Sequence, residues 1–285
     1  MSRIWVPLVV VLAAGCPSAP YRTLKPNLER PRPIEALDTV FLEEMTWMEV
    51  RDALKAGKTT ILVPTGGVEQ NGPYLATGKH NYILRATTEA IARRLNDALV
   101  APIVPFVPEG DIEPPSGHMH YPGTISLTED TYERLLSDIC ASLRTHGFRH
   151  IVLLGDSGGN QRGMQAVTDR LNARWMGGTA RAYFIPEYYD YDGVTKWLEG
   201  QGIRLENDSI HDDFVVTAQL MAVDPTTVRL QQRLAAGQFR ISGLDLVPAE
   251  TTAWGKKIID YRAESTVRAI RKAIPGEAGG ALAGH

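Results

Sequence analysis

Apolar positions along this chain fall into two alternating rhythms. Short runs rich in aliphatic and β-branched residues, 59–64 (TTILVP) and 150–154 (HIVLL), have the continuous apolar character of strands buried on both faces. Between them, residues 81–97 carry Ile83, Ala86, Thr87, Ala90, Ile91 and Leu95 at helical spacing. Residues 128–147 form the clearest helix, with Tyr132, Leu135, Leu136, Ile139, Cys140 and Leu143 on one stripe. Thr128 suits its N-cap, Glu129 and Asp130 suit the positive end of its dipole, and Gly147 closes it. Further strand-like runs lie at 99–107, broken by prolines, and at 180–186, and helical patterns at 212–223 and 253–274. The alternation predicts an α/β fold of three layers, with helices on both faces of a mostly parallel central sheet. Ligands in such folds sit at the carboxyl ends of strands. That rule points to the loops holding Glu69 and Asp156, each just beyond one of the two most apolar runs.

The ends of the chain have a different texture. Arg3 precedes the apolar run 4–12, which is too short to span about 30 Å of hydrocarbon as a permanent helix and ends in Ala13-Ala14-Gly15-Cys16. This resembles a bacterial lipobox, so residues 1–16 are expected to be a lipoprotein-type signal peptide with Cys16 as the lipidated residue. An ordinary signal peptide with an incidental cysteine is the alternative. The reading predicts an exported protein, in the cell envelope or periplasm, anchored to the membrane by its N-terminal lipid. Residues 17–35 hold Pro17, Pro20, Pro26, Pro31 and Pro33 among polar residues, a tether composition. Residues 36–275 suit one α/β domain, and the Gly/Ala-rich 276–285 a flexible tail.

Charge and cysteine content narrow the classes. A net charge of −3 with dispersed signs excludes the basic patch of a nucleic-acid binder. The second cysteine of the two, Cys140, falls on the apolar helix stripe, where a buried inert thiol is expected and no intrachain disulfide follows.

Three segments carry most of the candidate chemistry. The first is Gly66-Gly67-Val68-Glu69-Gln70-Asn71-Gly72-Pro73-Tyr74-Leu75 with Gly78-Lys79-His80; the second is His118-Met119-His120-Tyr121-Pro122-Gly123-Thr124-Ile125-Ser126; the third is Gly155-Asp156-Ser157-Gly158-Gly159-Asn160. In order and spacing they resemble the creatininase (creatinine amidohydrolase) family, whose patterns are G-[ST]-x-E-Q-H-G-P-H-L-P-x-G-x-D, H-x-x-F-P-G-T-x-S and N-G-H-G-G-N. A weaker match sets 211–217 on the family's H-A-G-x-x-E-T. The resemblance implies a creatininase-like fold, a binuclear zinc or manganese centre that activates water to open an amide bond in a small substrate, and a homo-oligomer. Glu69 keeps one carboxylate ligand, but the other family positions are Asn71, His80 in place of a bridging Asp, Ser157 and Val216.

An imidazole cannot bridge two metals as a carboxylate does, so at most one metal is expected, with Glu69, His80 and Asp156 as ligands. Three ligands and an open position suffice to activate water. The alternative is that Glu69 and His80 hydrogen-bond to each other without metal. His211 matches the family's proton-shuttling histidine. Asn71, His118 and the backbone of Gly158 and Gly159 are the expected substrate contacts. Residues 155–159 (GDSGG) also spell the nucleophile motif of trypsin-like proteases, but the α/β context argues against that fold. A subtler possibility keeps Ser157 as a metal-free nucleophile with His80 or His211 as base. The leading expectation is hydrolysis of a non-peptide carbon–nitrogen bond, in an amide or cyclic amide, of a small-molecule substrate; a non-catalytic solute-binding lipoprotein is the competing one.

Overall fold

The computed structural model describes residues 27–206 and 211–274. The signal segment with Cys16, most of the tether and the tail beyond 275 lie outside the described residues. From Ala36 onward the chain forms one unit.

Its centre is a four-stranded parallel sheet of order β2-β1-β3-β4. The strands are β1 (Thr60–Thr65), β2 (Ala98–Val100), β3 (His150–Gly155) and β4 (Arg181–Phe184). Register pairs Ile61 with Leu99 on one side and with Ile151 on the other. Alternation along the strands sorts the side chains into two cores. Ile61 and Val63 face helices α3 (Glu129–Thr145) and α4 (Asn160–Arg174), packing with Tyr132, Leu136, Cys140, Met164 and Val167; α1 (Trp47–Lys55) packs on the same cluster through Val50 and Leu54. Leu62, Val152 and Leu154 face the other way, onto Leu84 and Ile91 of α2 (Lys79–Leu95) and onto Ala263, Val267 and Ile270 of a long C-terminal helix. The sheet is thus covered on both faces, as the apolar runs predicted.

The remaining helices are α5 (Tyr191–Gly200), α6 (Phe214–Val223), α7 (Leu230–Ala235) and the C-terminal α8 (Pro248–Ala273). Two sequence expectations change here. The run 99–107 is a strand only as far as Val100, because Pro102, Pro105 and Pro108 remove ladder donors; beyond it, single bridges join Val104 to Thr65 and Val107 to Ser126. The C-terminal helix begins at Pro248, earlier than the apolar period showed, with proline in its first turn and Glu250 accepting from the Val247 amide.

From β1 the chain moves to β2 on one flank, and later to β3 on the other. The crevice between β1 and β3 is therefore a topological switch point, the place where open α/β sheets bind ligands. Glu69 follows β1 and Asp156 follows β3, so the order of strands alone brings these loops together.

Beyond the sheet, α6 lies against α8 so closely that a Cβ on Gly255 would sit 1.8 Å from the Ala218 carbonyl oxygen. Gly255→Ala is therefore expected to destabilise the protein by about 3 kcal/mol through overpacking, read from urea unfolding followed by circular dichroism. An unchanged midpoint would show that the two helices can separate at little cost.

Candidate functional site

At the switch point four elements meet around a line of buried charges. Arg262 of α8 donates from Nη2 to Asp156 Oδ1 at 2.6 Å, and His80 Nδ1 lies 2.8 Å from Asp156 Oδ2. The other His80 nitrogen, Nε2, lies 2.8 Å from Glu69 Oε1. All four side chains are buried. Tyr191 donates to Asp156 Oδ1 at 3.1 Å, and the Arg262 guanidinium packs over the rings of Tyr188 and Tyr191.

Protonation follows from that arrangement. Burial disfavours a charged His80, but its hydrogen bonds to Asp156 and Glu69 outweigh this and raise its pKa. Burial likewise opposes ionisation of Asp156, and the Arg262 charge overcomes it and holds the carboxyl low. Glu69 is also held low: burial is outweighed by the hydrogen bond and charge of His80 and by Lys79. His80 thus sits between two carboxylates, and Asp156 is paired with Arg262. The structure places the expected ligand residues Glu69, His80 and Asp156 in one ion-paired chain that includes a Glu69–His80 hydrogen bond.

Glu69 nevertheless has other neighbours. His118, in the 3-10 turn Gly117–His120, places Nε2 3.2 Å from Glu69 Oε2. His211 places Nδ1 3.2 Å from Glu69 Oε1, and the two imidazoles stack with centroids 4.7 Å apart. His211 is held with φ of 74°, a left-handed backbone that is strained for a residue other than glycine. Glu69, His118 and His211 each offer one donor atom, and the three atoms lie within 4.8 Å of one another. Tetrahedral zinc ligands sit about 3.4 Å apart, so one carboxylate and two imidazoles at these separations suit a single divalent ion. Burial and the nearby Lys79 charge lower the His211 pKa. The neutral imidazole this favours is the form a metal ligand requires.

A cavity of about 520 Å³ opens over this cluster, lined by Glu69, Glu109, His118, Ser157, Tyr189 and His211 among others, with Gly158 and Gly159 at the N-terminal end of α4. Gly159 is required there, since a Cβ would lie 2.0 Å from the Pro108 carbonyl oxygen. A second cavity of about 440 Å³ shares His80, Tyr189 and His211 and is walled by Tyr191, Asp190, Asp192 and Asp213. The segment 186–192 divides its labour: Tyr188 is core, while Tyr189 and Tyr191 line cavities.

Ser157 and Asn71 hydrogen-bond within the site's loops. Ser157 Oγ donates to Glu109 Oε2 at 3.2 Å, while both His80 nitrogens face carboxylates and His211 Nδ1 faces Glu69. Asn71 is buried and donates through Nδ2 to the carbonyls of Glu69 and Ala76, which shapes the loop and keeps it off the cavity walls.

Three residues of the site escaped the sequence reading. Lys79, the first residue of α2, is buried with Nζ 3.5 Å from Glu69 Oε1. Arg262 comes from the buried face of α8, where only its period-3.6 position among apolar residues marked it. Glu109 follows the last bridge of the proline-broken run, and its pKa is pushed up to about 9, by burial first and then by the charge of Glu69. Glu109 Oε1 has no donor among the described residues. A proton on Glu109, facing Glu69, supplies the missing hydrogen bond.

A parallel α/β sheet thus carries at its switch point a carboxylate–imidazole cluster that could hold a metal ion, beside a cavity. The creatininase family, described as creatinine amidohydrolase, matches residues 43–270, and the chain belongs to that family. Membership supports a hydrolase acting on a carbon–nitrogen bond. The creatinine amidohydrolase of Pseudomonas putida is 27% identical over 202 residues, covering 68% of this chain and 75% of the relative. The mycofactocin precursor peptide peptidase of Mycolicibacterium smegmatis is 31% identical over 112 residues, 38% of this chain and 42% of that protein. A crystal structure of creatinine amidohydrolase superposes with a TM-score of 0.60 at 22% identity, covering 84% of this chain and all of the other, a likeness of fold. Solved creatininases include a Zn–Zn type and a manganese form.

Glu109 gives the site a pH signature. Folded, it keeps its proton up to about 9, whereas its ordinary value is 4.5. Between these values the folded chain binds more protons than the unfolded one, so stability falls as pH rises. His80, with its raised pKa, acts in the same direction above its ordinary value. Glu109→Gln, neutral at every pH, is expected to flatten the fall between pH 5 and 8 by about 1–3 kcal/mol, measured as urea-unfolding free energies. Equal slopes in the two proteins would contradict a protonated Glu109.

Proposed function

We propose that the protein hydrolyses a carbon–nitrogen bond of a small amide or cyclic amide, with one zinc or manganese ion held by Glu69, His118 and His211. The observation that carries the reading is the convergence of those three donors on one wall of a cavity large enough for a small molecule. Family membership supports the bond type, and the metals of the solved creatininases support the choice of ion.

A divalent ion so held supplies Lewis acidity and lowers the pKa of a water toward neutrality. The chain's own groups divide the remaining work. Ionised Glu69 contributes the negative charge that offsets the cation, and the hydrogen bond and charge of His80 keep it ionised. Gly158 and Gly159 bare their backbone to the cavity at the positive end of the α4 dipole, where charge developing on a carbonyl oxygen is stabilised. Glu109 holds a proton beside the same cavity and is the general acid for the departing nitrogen. Ser157, donating to Glu109 Oε2, orients that carboxyl.

The test is a panel of small amides and lactams assayed for amine release by protein prepared without chelators. For any substrate that turns over, Glu109→Gln is expected to lower kcat by about 10²-fold or more with little change in KM, and Glu69→Gln to lower kcat/KM by about 10³-fold. Full activity in Glu69→Gln or after chelator treatment would remove the metal from the account. Saturable binding of panel members without turnover would favour a solute-binding protein on the same fold.

A further inference from the structure

A lysine in a dry site needs acceptors for its ammonium, and Lys79 is 2% exposed. Its Nζ lies 3.5 Å from Glu69 Oε1, 3.4 Å from His211 Nδ1 and 3.3 Å from the His211 carbonyl oxygen. This ammonium thus rests against two of the three residues of the candidate cation site, Glu69 and His211. In the tautomer that leaves Nδ1 unprotonated, its lone pair either accepts a hydrogen bond from Nζ or coordinates a metal; in either tautomer Glu69 Oε1 is shared by Nζ and any ion bound there. A divalent ion set among the same atoms would also lie close to the ammonium in a water-poor environment, where like charges repel strongly.

The structure also offers the displaced ammonium another place. Lys79 lines the second cavity, whose walls include Asp190, Asp192 and Asp213. Asp213, which caps α6 by accepting from the Val216 amide through Oδ1, attracts the Lys79 charge.

We infer that Lys79 is a built-in competitor for the cation site, its ammonium and a divalent ion excluding each other at Glu69 Oε1 and His211 Nδ1. The inference rests on the metal reading proposed above and adds a regulation to it. The chain has a lysine-latched form with Nζ on Glu69 and His211, and a loaded form in which Nζ turns into the acidic second cavity. Occupancy of the site then follows the supply of free metal, because each ion that binds must displace the latch.

The experiment is isothermal titration calorimetry of zinc and of manganese into the metal-stripped full chain, as wild type, Lys79→Met and Lys79→Arg. Lys79→Met is expected to bind one ion per chain about tenfold or more tightly than wild type, and Lys79→Arg, which keeps the charge, no more tightly than wild type. Should Lys79→Met fail to fold by circular dichroism, Lys79→Gln carries the same expectation. One ion per chain at equal affinity in wild type and Lys79→Met overturns the latch and leaves the metal site standing. No binding by either folded protein overturns the metal reading, and the latch with it. Weaker binding by Lys79→Met makes Lys79 a supporter of the site and overturns the competition.

Discussion

A carboxylate enclosed by protein must be answered by a cation, and the architecture of this site turns on how Asp156 is answered. Arg262 closes on one of its oxygens and His80 on the other, at 2.6 and 2.8 Å. Breaking such a buried pair by removing one partner costs about 3–5 kcal/mol, because the remaining charge is stranded. The arrangement therefore fixes α8 and α2 against the end of β3, and through His80 Nε2 it fixes Glu69 at the end of β1. Tyr191, Gln219 and the Tyr188 carbonyl complete the shell around Arg262, so four helices share the constraint. The position of Glu69 is inherited from it.

That constraint accounts for how the site departs from its family. Where the resemblance implies a carboxylate bridging two metals, this chain has His80 set between two carboxylates. The inner part of the site is occupied by Arg262 and His80. Toward the cavity, Glu69 faces His118 and His211, the side on which the proposed cation would sit. The carboxylate stays in place while its partners are exchanged.

Legibility in the sequence followed the range of the interactions. The apolar runs at 59–64 and 150–154 announced β1 and β3 because strands buried on both faces leave no polar alternation. The stripe from Tyr132 to Leu143 announced α3 for the corresponding helical reason. Strand-end logic then found Glu69 and Asp156, and the motif order found His80, His118 and His211. Ion-pair partners were illegible. Arg262 lies 106 residues from Asp156, and its place on the buried face of α8 does not say which carboxylate it meets. Glu109 sits in a proline-broken segment that gives no period to read. The roles of His80 and His118 depended on which carboxylate oxygen each nitrogen meets, a matter of ångströms that spacing along the chain does not encode.

On the proposed reading a metal binds on the side of Glu69 that faces His118 and His211, and not within the Glu69–His80–Asp156 chain. Crystals soaked in zinc, with diffraction recorded above and below its absorption edge, test this directly. One anomalous peak is expected, bounded by Glu69, His118 and His211, with His80 still spanning its two carboxylates. A peak between His80 and Asp156, or a pair of peaks sharing Glu69, would contradict it.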